Sequence, residues 1–76
     1  MDLKKDLLLR SAARLYSLGI EVEVARQRLR DLVDQGVAYT SPEIREALED
    51  YQELDRQWKE LEQEYLKLHN EIYQSE

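Results

Sequence analysis

The sequence predicts an all-α protein: a single domain, residues 1–76, folded as an antiparallel two-helix hairpin with a coiled-coil-like seam. Three observations lead there. Charged residues make up 37 % of the chain against 42 % hydrophobic, with two glycines and one proline, the balance of a long-helix protein. The turn-forming residues gather in one stretch, "DQGVAYTSPEI". On either side of it, apolar residues recur at alternating spacings of three and four, the signature of a heptad seam.

The first helix is expected over residues 3–35. Its seam reads Leu8, Ser11, Leu15, Leu18, Val22, Ala25, Leu29 and Leu32. The series passes Gly19 without a change of phase, which favours one helix. A mid-helix glycine is about 1 kcal/mol less favourable than alanine, so a break at Gly19, giving a three-helix arrangement, is the alternative. Gly36 then ends the helix, because glycine takes the left-handed C-terminal conformation without a Cβ clash.

The loop covers residues 36–40, a length suited to antiparallel neighbours. The second helix is expected over residues 41–74. Ser41 can accept from free amides of the first turn, Pro42 suits the first helical position, and Glu43 and Glu46 suit the positive end of the helix dipole. The seam here is Ile44, Ala47, Tyr51, Leu54, Trp58, Leu61, Tyr65, Leu68 and Ile72. Folding the chain back on itself sets Ala25 against Tyr51, Ser11 against Tyr65 and Leu29 against Ala47. Large faces small, as a filled core requires.

Two helices of this size bury one stripe each, which makes for a thin core. The first helix carries a second stripe, Leu9, Ala13, Tyr16, Ile20 and Val24, at outer heptad positions facing away from the second helix. Such a wet apolar row marks an interface. These five are the expected partner-binding residues. The partner is a second copy, giving a homodimer and a four-helix bundle, or a different protein.

Charge narrows the partners further. The net charge is −6, which argues against nucleic acid. Residues 2–35 hold seven basic and six acidic side chains, whereas residues 41–76 hold four and eleven. The outer surface is therefore expected to be acidic, and Arg26, Arg28 and Arg30 are free to pair with the second helix. Arg10 and Arg14 interrupt the run "DLLLRSAARLYSLGI", leaving neither a signal sequence nor a membrane span. With no cysteine, disulfides and thiolate metal sites are excluded, and a soluble cytoplasmic protein is the expectation.

The chemistry-bearing residues do not assemble into a site. His69 is the single histidine, with Glu62 two turns earlier on its face, and zinc wants three or four converging ligands. One histidine on an acidic helix reads as a solvated side chain. No glycine-centred Asp/Asn loop offers calcium a cage, and the isolated glycines cannot cradle phosphate. The carboxylates of "EQE" and "EALED" read as solubilising charges. Neither metal nor cofactor is expected. Tyr51, Trp58 and Tyr65, at seam positions, read as core rather than as a base-stacking platform.

The stretch "ARQRLRDLVDQGVAYTSPEIREALEDYQELDRQW" resembles the sporulation-type aspartyl-phosphate phosphatases of endospore-forming bacteria, small helical hairpins that dephosphorylate a response regulator. The family motif is Ser-Gln-x-Leu-Asp. Gln52, Leu54 and Asp55 match it, and Tyr51 stands in the place of the serine. The resemblance implies that Gln52 and Asp55 enter the regulator's active site and position the water that attacks its phospho-aspartate, the regulator supplying metal and phosphoryl group. Read without the resemblance, Leu54 is a seam residue and Gln52 and Asp55 are its solvent-facing neighbours. The expected role is thus a helical protein–protein interaction module, with a response-regulator phosphatase or a purely structural assembly component as the alternatives.

Overall fold

Asp2 and Ser41 open the two helices. In the computed structural model, which describes residues 2–74, the Asp2 carboxylate accepts from the Lys4 amide at 3.0 Å. The Ser41 hydroxyl accepts from the Ile44 amide at 3.2 Å, with Pro42 directly behind it. Each cap satisfies an amide that the helix itself cannot. Helix α1 runs Leu3–Asp34 and helix α2 runs Pro42–Tyr73, 32 residues apiece. The expected limits at 35, 41 and 74 prove to be the cap residues Gln35, Ser41 and Gln74, one position outside the helices. Residues 1, 75 and 76 of the expected domain lie outside the described residues.

The end of α1 is a Schellman motif. Gly36 has φ +78°, its amide donates to the Val33 carbonyl at 3.0 Å, and the Val37 amide donates to the Leu32 carbonyl at 3.1 Å. Val37 and Leu32 are both half-buried, as the hydrophobic contact of that motif requires. The Ser41 amide then closes a turn on the Ala38 carbonyl at 2.9 Å and delivers the chain to α2.

Gly19 does not break α1, so the three-helix alternative is overturned. The reason is tertiary. Trp58 of α2 lies against Gly19, and a Cβ placed there would stand 3.2 Å from the indole Nε1. The glycine makes room for the largest seam side chain of α2, and that packing offsets its poor helix propensity.

The pair forms a rod 54 Å long and 16 by 15 Å across. Among the described residues, Leu8, Ile44, Ala47 and Leu61 form the buried core. The remaining seam residues, from Ser11 to Leu32 and from Tyr51 to Ile72, are half-buried. No expected seam residue is exposed. Gly19 beside Trp58, and Arg28 Nη1 at 3.4 Å from the Asp50 carboxylate, fit the register drawn from the two heptads. No helix among the described residues is long and apolar enough to cross a membrane.

Candidate interaction surface

The outer stripe of α1 is where apolar surface meets water. Leu9, Tyr16, Ile20 and Val24 are 68, 74, 51 and 65 % exposed, and Ala13 is exposed with them. They point outward because a helix rotates 100° per residue, and the seam has already claimed the opposite side.

The stripe is not a flat ridge. Along one edge of the hairpin, Tyr16, Ile20 and Val24 join Gly19, Trp58 and Tyr65 around an open groove of about 830 Å³. The missing side chain at Gly19 sets its floor and the indole of Trp58 forms the α2 wall. On the other edge, Ile20 and Val24 flank a second groove of about 530 Å³ that reaches Ala47 and Leu54. Ile20 and Val24 are thus the crest between two furrows. Ala13 departs from the expected row: it lines a smaller groove with Arg14, Ser17, Glu21 and Leu61.

The aromatic wall continues along α2. His69 sits between Tyr65 and Tyr73, with ring centroids 6.0 and 4.8 Å away at tilts of 36° and 44°. It is half-buried. The expectation of a merely solvated histidine is therefore corrected: the i, i+4 spacing of three rings sets it in tilted contact between two tyrosines. No three metal-ligating side chains converge among the described residues.

The residues singled out by the phosphatase resemblance lie on regular helix. Gln52 is exposed. Asp55 is half-buried, and its carboxylate is held by Lys59 Nζ at 2.9 Å. That contact raises the Lys59 pKa. Between them stands Glu53, which accepts from Arg56 Nε at 3.1 Å and from Gln57 Nε2 at 3.0 Å. Arg56 also reaches Glu60, at 2.7 Å. The hydrogen bond from Arg56, and after it that from Gln57, holds the Glu53 carboxyl down at about 2. Arg28 pairs across to Asp50 as expected of a basic first helix, but Arg26 turns back to Glu23 of its own helix at 3.2 Å.

Comparison of the chain with models of protein families, with characterised proteins and with solved structures gives no match in any of the three.

Proposed function

We infer that this protein is a helical interaction module that docks another protein chain along the outward face of α1. The observation that carries the reading is the coincidence of stripe and groove. Tyr16, Ile20 and Val24 are more than half exposed and also line the furrow of about 830 Å³ between the helices. An apolar crest beside an apolar furrow is the shape that accepts a helix. The thin core supports it, because covering this edge would also cover the half-buried Trp58 and Tyr65.

The test is substitution of Tyr16→Glu and Ile20→Glu, followed by molar mass and binding measurements, with circular dichroism as the folding control. Loss of association at unchanged helicity is expected. If neither substitution altered association or binding of any kind, the stripe would not be a docking surface.

The phosphatase reading has one observation in its favour: Gln52 is exposed on a continuous helix, where it could enter a partner's active site. Asp55 would first have to leave Lys59. The reading requires that the protein accelerate loss of phospho-aspartate from a response regulator, and that Gln52→Ala abolish the acceleration. Unaltered decay with the wild-type protein would dispose of it.

A further inference from the structure

We propose that the furrow bordered by Ile20, Val24 and Leu54 takes a helix of a different protein, apolar on one side and basic along its flank. This rests on the docking reading above only through Ile20 and Val24, the crest that both furrows share. It adds the other edge of the hairpin and the charge of the occupant.

Charge is patterned on that edge. From Glu43 to Glu71, positions spaced alternately three and four apart trace one exposed strip of α2. Its nine positions hold seven carboxylates, Gln57 and one cation, Lys67. Asp50 and Glu53 of the strip line the furrow of about 530 Å³ with Ile20, Val24, Ala47 and Leu54. Glu60 and Glu64 continue it along a smaller groove with Arg14 and Leu61. The furrow beside Trp58 is different: among the described residues, Glu23 is the one charged side chain lining it. The two edges thus ask for different partners.

The hairpin's own cations compensate the strip only in part. Arg28 takes Asp50 at 3.4 Å, and Arg56 takes Glu53 and Glu60. Arg14 lines the groove with Glu60 and Glu64. With Lys67 these supply four positive charges against seven negative ones, and Glu21 of α1 adds a further carboxylate to the same edge. Glu43, Glu46 and Glu64 take no ion pair among the described residues. Like charges one turn apart oppose the helix that carries them, and cations from outside would relieve that.

The shape of the occupant follows from the apolar track beside the strip. Ile20 and Val24 are 51 and 65 % exposed, and Ala25, Ala47 and Leu54 lie between them and the carboxylates. Grooves follow one another on this edge from Ala13 to Arg28 of α1, about 22 Å or four turns of helix. A helix presents an apolar stripe and a charged flank side by side over such a length. Neither helix of this chain has the required charge. Residues 41–76 are acidic, and residues 2–35, with seven basic and six acidic side chains, are close to neutral. A second copy would set like charge on like, whereas a basic helix is drawn in by the whole acidic flank.

Calorimetric titration with a synthetic peptide tests this. The probe is a helix of about 18 residues, with leucines at helical spacing on one side and lysines elsewhere. A sister peptide carries glutamates in place of the lysines. The lysine peptide should bind, more weakly as salt rises, and the glutamate peptide should not. The emission of Trp58, which lines the other furrow, should not move. Glu46→Lys with Glu64→Lys should weaken binding about tenfold at low salt. Asp34→Lys with Glu62→Lys, the same change of net charge off the strip, should weaken it by less than about twofold. Val24→Ser should weaken it about tenfold through lost apolar contact. Circular dichroism checks that each variant is folded. A lysine peptide that fails to bind, ignores the strip reversal, weakens equally with both double variants, or ignores Val24→Ser overturns the proposal. A peptide that binds and shifts the Trp58 emission also overturns it, but keeps the docking reading, because it then lies in the other furrow. In every other case that reading stands or falls on Tyr16→Glu.

Discussion

The outward faces of α1 and α2 differ more than their inward ones. Inward, each 32-residue helix offers one heptad seam, and the two seams bury each other. Outward, α2 carries the ion pairs of Arg56 with Glu53 and Glu60 and of Lys59 with Asp55, and its exposed apolar residues Leu48, Leu66 and Tyr73 are spread along the helix. The outward face of α1 has the ion pairs Arg10 with Asp6 and Arg26 with Glu23, but gathers Leu9, Tyr16, Ile20 and Val24 into one row. Folding the hairpin demands nothing of either outer face. A helix that needs only to stay dissolved ends up like α2. The apolar row on α1 is therefore the feature that folding alone does not explain, and the proposed docking rests on it.

The sharpest way to test that separation is to damage the seam. Leu61→Ala empties a buried position and should destabilise the hairpin by about 2–5 kcal/mol, enough to unfold so small a core. Loss of the helical signal on mild heating checks it. Ile20→Glu, on the outer face of α1, should instead leave the helicity intact and remove association. A comparable loss of helicity in both variants would erase the distinction between the faces.

Gly19→Ala should act more gently. Helix propensity alone favours alanine by about 1 kcal/mol, but the new Cβ would press on the Trp58 indole. A thermal midpoint raised by less than propensity alone predicts is expected, and a full gain would mean that the indole yields freely.

The smallest effect belongs to α2. Arg56→Ala should leave the melting midpoint unchanged, since exposed ion pairs add little to stability. It should nevertheless return the Glu53 carboxyl from about 2 towards its ordinary 4.5, read by carbon NMR titration. The sign follows from the lowered value. Whatever Glu53 contributes to stability is present above pH 4.5 and fades as the pH falls towards 2. A large midpoint shift would show that the outer face of α2 is more than a wet surface.

Much of this was legible in the residues. Periodicity identified the seam, because a heptad repeat encodes which side of a helix is buried. Gly36, Ser41 and Pro42 marked the turn, because each does local backbone work that needs no tertiary partner. What escaped was set in three dimensions. Periodicity places Ala13 in the same row as Tyr16, but the neighbouring helix divides that row between separate furrows. The pairing of Gly19 with Trp58 joins a gap on one helix to a bulk on the other. The signal was present in the register, which set Leu18 beside Trp58, but the glycine read as a weak point rather than as space. Arg26 found Glu23 three residues away before it could reach α2, a competition that net charge does not reveal. The ring contacts of His69 are encoded in the spacing Tyr65, His69, Tyr73, where the histidine counts as an aromatic ring rather than as a solvated side chain. Gln52 lies exposed and Asp55 half-buried against Lys59 on regular helix, where backbone geometry carries no signal of chemistry.

Trp58 gives the molecule one more property. It is the single tryptophan of the chain, and it forms a wall of the furrow instead of vanishing into the core. Indole emission moves to shorter wavelength as water is stripped from the ring. The unmodified protein therefore carries its own optical gauge of occupancy. A titration followed by that colour alone would show when the furrow fills, with no label attached and no residue replaced.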